Sequence, residues 1–258
     1  MTGSFSLTAV AGLPEIAPGC DLPAAIVAAL DSAGLRLGAG DIVVVAQKIV
    51  SKAENRLRLL DEVQPSAEAQ RLGVLTRKDA RFVQCVLDES TAVMRAAPDV
   101  LIVRHRLGLV MANAGIDRSN VPNRPDGREQ VLLLPQDPDA SAARIRRALM
   151  QRFGCGDLLG VVVSDSFGRP WRMGVTNVAI GIAGPPALID RRGEPDRGGR
   201  LLEMTEVAYA DAVAAAAALA MGEAAESTPL ILVRGLKWQP SAQTAGDLQR
   251  PLAQDLFL

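Results

Sequence analysis

The chain has 258 residues, with 28 Lys+Arg against 29 Asp+Glu and a formal charge of −1. Its 48% hydrophobic, 22% charged and 3% aromatic residues describe a globular protein without the basic field or stacking surface that nucleic-acid binding needs. No apolar run reaches the roughly 18 residues of a membrane span, and residues 1–10 lack the basic start and apolar core of a secretory signal, so a cytoplasmic location is the expectation.

Residues 22–35 carry apolar side chains every third or fourth place, which predicts a helix capped by Asp21. The β-branched run DIVVVA at 41–46 predicts a buried strand. Helices are expected over 66–77 and 79–95, and two strands over 100–103 and 107–112, joined by His105 and Arg106. A short strand follows at 131–134. Residues 140–153 read as an amphipathic helix with Arg144, Arg146, Arg147 and Arg152 mostly on its polar side. Buried strands are expected at 158–163 and 175–182, an Ala-rich helix at 206–221 and a closing strand at 229–233. The polar tail from Trp238 has little periodicity, and 120–130 and 190–200 read as long loops. Helices and strands interleave without strict βα alternation, so the expected fold is α+β or mixed α/β. A chain of this size buries about 70% of its unfolded surface. That suffices for one large domain over 1–240, or two intertwined subdomains there, with 241–258 as a tail.

The scarce residues narrow the chemistry. His105 is the single histidine, and Cys20, Cys85 and Cys155 are far apart, with no C-x-x-C. A zinc ribbon, a redox pair and a disulfide framework are therefore not expected, and any Ser-His-Asp relay would have to pass through His105. The cysteines read as small apolar fillers and His105 as an ordinary hydrogen-bonding group near a strand end. No P-loop and no dinucleotide fingerprint are present; the fragment Gly38-Ala39-Gly40 precedes a strand rather than following one.

Four segments remain as candidates. NAGIDRSN at 113–120 follows a strand and sets Asp117 three residues before Asn120; carboxylate and amide together suit a hard cation with a phosphate or ribose hydroxyl, although the same residue types also build plain turns. SDSFGRPWR at 164–172 brings Asp165 and Ser166 off the end of the 158–163 strand, where α/β sites often hold metal, and adds the anion-binding forks of Arg169 and Arg172. The alternative there is a solvated turn whose arginines pair locally. QKIVSK at 47–52 puts Lys48 and Lys52 on one face in either a helix or a strand, suited to a polyphosphate or to a merely charged surface. MGEAAES at 221–227 ends the Ala-rich helix, with Gly222 as a C-cap and Glu223 in the following turn. Acids that hold divalent ions beside basic groups that neutralise phosphate point to metal-assisted phosphoryl transfer. A metal-dependent phosphohydrolase and a non-catalytic nucleotide-sensing regulatory module stand as the alternatives.

The strings GLPEI (12–16), GDIVVVAQKIVSKAE (40–54), HRLGLVMANAGIDRSNV (105–121), LLLPQDPDASAARIR (132–146), SDSFGRPWRMGVTNVAIGIAG (164–184) and LVRGL (232–236), in this order, resemble the coenzyme F420-0:gamma-glutamyl ligases. The resemblance implies that family's own mixed α/β fold, a homodimer, and GTP-dependent joining of L-glutamate to F420-0, with further gamma-linked glutamates in some members. It implies Mg²⁺ or Mn²⁺ as cofactor, two ions, with K⁺ as a stimulating ion. Carried over by motif, Leu13, Pro14, Glu15, Ile16, Gln47, Lys48, Lys52 and Asn120 would contact GTP, as would residues 221–228, among them Met221, Gly222, Ala224 and Ala225. Asp117 and Asp165 would be the catalytic acids. Both would ligate metal, Asp165 the first ion, with Ser166 and Glu223 on the second. The resemblance covers a stand-alone ligase without the C-terminal flavin-binding domain of some relatives, so FMN is not expected.

Overall fold

The computed structural model describes residues 3–119, 121 and 126–255. In chain order the elements are β1 (Ser6–Ala9), α1 (Leu22–Ser32), β2 (Ile42–Ala46), α2 (Gln47–Ala53), β3 (Leu57–Leu59), α3 (Ala67–Thr76), α4 (Ala80–Asp88), β4 (Ser90–Ala97), β5 (Val100–His105), β6 (Val110–Ala112), β7 (Gln130–Leu132), α5 (Pro138–Phe153), β8 (Gly160–Arg169), β9 (Arg172–Ala183), β10 (Leu188–Asp190), β11 (Glu206–Ala208), α6 (Tyr209–Met221) and β12 (Leu230–Arg234). The arrangement is mixed α/β, as its sequence pattern predicts.

The main sheet runs β1-β12-β2-β8-β9. Only β2 and β8 are parallel; the other pairings are antiparallel. Side chains alternate across it as the pleat requires. Val43, Val45, Val161, Val163, Leu230 and Leu232 face the side covered by α1 and α5. Ile42, Val44, Val162, Ile231 and Val233 face α6, whose buried alanines let it lie close to the sheet. The strands read as continuous apolar runs because both faces are covered. Helix α5 presses on β9 at Gly181, where a Cβ would stand 2.4 Å from the Pro138 carbonyl carbon; only glycine fits this approach.

A third apolar cluster gathers α3, α4 and the β4-β5-β6 sheet around Leu72, Phe82, Val86, Leu101 and Val103, with Ala114, Ile116, Val131 and Leu133 joining it. Here the structure corrects the sequence reading. The helix expected over 79–95 ends at Asp88, and its second half is β4, paired with β5 through a two-residue Pro98-Asp99 turn in which Asp99 has φ +65°. Strand pairing overrides the helical pattern. The Ala-rich helix starts at Tyr209 rather than 206, because Glu206–Ala208 pairs with β10. The 190–200 stretch accordingly belongs to a β10–β11 ribbon closed by a Pro195–Leu201 bridge. The aperiodic tail is tied down. Trp238 Nε1 donates to Gly40 O at 3.0 Å, Ser241 N to Gly184 O, Ala245 N to Asp139, and Arg104 meets Asp255 at 3.4 Å.

The α4–β4 junction is held by Glu89, 8% exposed. Its carboxylate takes Arg56 Nη2 at 2.8 Å and Arg106 Nε at 2.9 Å. His105, at the end of β5, accepts the Leu107 N–H on Nδ1, which leaves the ring proton on Nε2, 3.4 Å from Glu89. That contact is electrostatic rather than a full hydrogen bond. Burial alone would raise the Glu89 pKa, but His105, Arg56 and Arg106 outweigh it and bring the carboxyl down to about 2. A carboxylate whose folded pKa lies below its unfolded one stabilises the fold above the unfolded value. This contribution, an upper bound of about 3 kcal/mol, is complete above pH 4.5 and lost as pH falls toward 2. Acid unfolding of Glu89→Gln should therefore show a shallower pH dependence between 4.5 and 2 than the parent chain. Identical slopes in that window would contradict the network's role.

Candidate functional site

The parallel ladder ends where Ala46 pairs with Ser164. Beyond that point β2 turns directly into α2, while β8 runs on to Arg169 beside β9 alone. The edge of β8 is left open, and a cleft of about 530 Å³ fills the step, a volume typical of small-ligand sites. Four segments wall it: the β1–α1 loop, the start of α2, the β8–β9 hairpin and the α6–β12 loop.

This cleft gathers what the sequence scatters. Leu13, Pro14, Glu15, Ile16, Gln47, Lys48, Lys52, Asp165, Ser166, Met221, Gly222, Glu223, Ala224 and Ala225 all line it. Of the two geometries open to 47–52, the helix is the one adopted, with Lys48 and Lys52 one turn apart. Lys52 Nζ lies 2.6 Å from Glu15 Oε1 at the rim. Gln47, 2% exposed, accepts Ser51 Oγ at 2.9 Å and donates Nε2 to Asp117 Oδ2 at 2.7 Å.

Asp117 meets Lys48 as well, Nζ to Oδ1 at 3.3 Å. It is delivered by a turn in which Asn113, Ala114 and Gly115 all have positive φ, at +51°, +54° and +65°. Such backbone costs of order 1 kcal/mol at a residue with a Cβ and collects at functional loops. Backbone bonds both ways with Leu132 then fix Asp117 in place. Asn120, the proposed nucleotide contact three residues on, lies outside the described residues.

Asp165 and Ser166 do not follow the end of a strand, as their sequence context suggests; they sit within β8, which continues past a register shift at Val163/Ser164. The correction has a consequence for Arg169 and Arg172. Four residues of strand put Arg169 about 13 Å beyond Asp165, at the hairpin tip, where its Nη2 donates to Met173 O. Neither arginine lines the cleft.

The cleft is short of positive charge. Asp165 is pushed up to about 7, chiefly by burial and next by the Asp117 charge, with Glu223 adding to it and Lys48 opposing. Burial also raises Asp117 against the pull of Lys48 and Gln47. Among the described residues no three carboxylate, imidazole or thiol groups are packed into a ready-made metal cage. The donors on the cleft wall are all oxygen, however: Asp165, the Ser166 hydroxyl and Glu223, with buried Ser164 Oγ and Asn177 Oδ1 unpartnered beside them; Asp117 is not a lining residue and stands behind Gln47 and Lys48. Oxygen donors carrying excess negative charge fit a hard divalent cation. Ser164 and Asn177 lie within segments the sequence reading quotes but receive no role there, since a Ser and an Asn inside apolar strands look like ordinary variation. The one available signal is a polar residue at a position where both sheet faces are covered.

A raised carboxyl stabilises the fold only while protonated, so the Asp165 penalty is absent below its ordinary value near 3.8, grows as pH rises and is complete above about 7. The interval corresponds to an upper bound of about 4 kcal/mol. Asp165→Asn in metal-free buffer is expected to raise the melting temperature at pH 8 and to gain little at pH 4. A lower melting temperature at pH 8 would refute the charge imbalance.

The family model described as F420-0:Gamma-glutamyl ligase matches residues 12–235. A coenzyme F420:L-glutamate ligase of Methanothermobacter thermautotrophicus is 43% identical over 255 residues, which cover 98% of this chain and 98% of that protein. The protein of that name from Methanopyrus kandleri is 44% identical over 223 residues, covering 86% and 84%. The one from Natronomonas pharaonis is 44% identical over 246 residues, covering 93% and 89%.

Proposed function

This chain belongs to the F420-0:gamma-glutamyl ligase family and is a ligase that forms carbon–nitrogen bonds, and from that premise we propose that it joins L-glutamate to F420-0 with GTP as co-substrate. The observation that carries the reading is the joining of Asp117 and Asp165, 48 positions apart in sequence, to Lys48 in one electrostatic group at the cleft.

In the proposed reaction the terminal carboxylate of F420-0 attacks the γ-phosphorus of GTP, and the bond to the β–γ bridging oxygen breaks to release GDP. The amine of glutamate then attacks the acyl phosphate carbon, an amide forms, inorganic phosphate leaves and the amine loses a proton to solvent. Lys48 and Lys52 stand where a triphosphate would exchange their contacts with Asp117 and Glu15 for phosphate oxygens. Residues 13–16 and 221–225 wall the nucleotide between two loops. Gln47 donates to Asp117 and orients its carboxylate. Asp117, Asp165, Ser166 and Glu223 would hold Mg²⁺ or Mn²⁺, two ions in this reading. A bound ion supplies neutralisation of the charge that develops on the phosphate oxygens. The cleft asks nothing of His105 or the cysteines, which lie elsewhere.

Mass spectrometry of F420-0 incubated with the protein, GTP, Mn²⁺ and glutamate should show added glutamate, and Asp165→Asn should lower the yield at least 100-fold while remaining folded. Near-normal yield in that variant would overturn the site. Phosphate release from GTP that needs neither F420-0 nor glutamate would point instead to a phosphohydrolase.

A homodimer belongs to the same proposal. The tip of the β8–β9 hairpin exposes Trp171 (90%), Met173 (97%) and Val175 (55%), an apolar surface of the kind that marks an interface. Sedimentation equilibrium should give twice the 27.2 kDa chain mass, and Met173→Glu should shift it toward the monomer. A monomer at micromolar concentration would remove this part of the reading.

A further inference from the structure

Two polar side-chain oxygens in the cleft, one on Ser164 and one on Asn177, are left without partners. Ser164 is 1% exposed and Asn177 4% exposed. Both line the cleft, and Ser164 Oγ and Asn177 Oδ1 accept or donate no hydrogen bond. A buried polar atom with no partner costs about 1–3 kcal/mol. An apolar residue at either position would relieve that cost, so the pair needs a ligand to account for it.

The register shows what kind. Ser164 faces Ala179, and Ser166 faces Asn177 across the β8–β9 ladder. Ser164, Ser166 and Asn177 therefore share one face of the hairpin, with Asp165 on the other. On their face stands the end of α6, where Asn177 Nδ2 meets Met221 Sδ at 4.0 Å. The cleft lysines rise from α2, whose Ile49 and Val50 pack into the core on the opposite side of the sheet. On the hairpin itself the polar groups of the Asn177 face are thus hydroxyl and amide, and the α6–β12 loop adds the Glu223 and Glu226 carboxylates to the cleft lining. With no cation among them, an anion is the wrong match. Neutral oxygens beside a carboxylate match a hard cation and the waters it keeps, and a trapped water bonded to two or three such groups is the ordinary way a buried polar pair is satisfied.

We propose that Asn177, together with Ser164, holds the water shell of a divalent cation bound beside Ser166, a role that rests on the cation reading given under the proposed function. Asn177 is then a positioning residue for that ion. Outer-shell partners of a metal typically change its affinity by 10–100-fold.

The test is Mn²⁺ binding to the full chain with a non-hydrolysable GTP analogue, followed by electron paramagnetic resonance, together with melting temperatures in metal-free buffer. Asn177→Leu, close in size and apolar, should weaken Mn²⁺ at least tenfold with an equal or higher metal-free melting temperature, and Asn177→Asp should retain binding. Ser164→Ala should weaken Mn²⁺ severalfold, and it decides the matter in the same way if the leucine variant does not fold. Unchanged Mn²⁺ affinity in these variants while Asp165→Asn loses the ion overturns the inference alone. Unchanged affinity in Asp165→Asn, or no Mn²⁺ bound by the parent chain, overturns the cation reading and the inference together. Equal loss of analogue binding with and without a chelator would mean that Asn177 contacts the nucleotide itself, which also overturns it.

Discussion

The site depends on a mismatch in strand length. β2 stops at Ala46, its last pairing with β8, while β8 continues five residues beyond the matching Ser164. Had the two strands ended together, the backbone groups of Asp165 and Ser166 would be covered by a neighbour and the cleft would be closed. The step leaves an open strand edge deep in the molecule, roofed by loops instead of by another strand. An edge of this kind is normally a liability; here the loops that roof it enclose it within the cleft.

Within that step, electrostatics and packing oppose each other. The layers on either side of the sheet are apolar and close-fitting, yet they carry Asp165 into a region where its charge is poorly compensated. The contrast with Glu89 is instructive. Both carboxyls are withdrawn from water, but Glu89 has two guanidinium groups and a histidine against it, and its ionised form is favoured. Asp165 faces other acids and one lysine. Glu89 is thus a structural charge with its counterions built in, and Asp165 a buried carboxyl without them, the usual sign of a site kept for function.

The parts of the fold decided by local pattern were legible in the sequence. The β-branched runs around Val43 and Val161 announced the central strands, and the capped, apolar-periodic helices α1, α3 and α5 lie within a few residues of their expected bounds. What failed was decided at a distance. Residues 90–95 carry no helix-stopping residue; they are a strand because β5 is there to pair with them. The same holds for Glu206–Ala208 and β10. At the site, acids and lysines were recognisable by type, but Arg169 and Arg172 looked like anion ligands only while β8 was expected to end at Val163. Asn177 was invisible, since nothing in GVTNVAIG distinguishes a ligand-facing amide from a surface one until Ser166 is seen opposite it.

The order of strands also constrains how the molecule comes into being. Beside β2, the middle strand of the main sheet, lies β12, which pairs on one side with β1 and on the other with β2, so Ser6 waits for Arg234 and Ile42 for Val233. β1 has no other neighbour in this sheet, and β2 has only β8, from Gly160 on, until β12 is made. Closing the β1–β12 pairing across more than 200 residues makes assembly slow, and until then the apolar β2 lacks one of its two neighbours. The partly made sheet is therefore most exposed to sticking in the interval between β8 and β12, before the strand that joins β1 to β2 arrives.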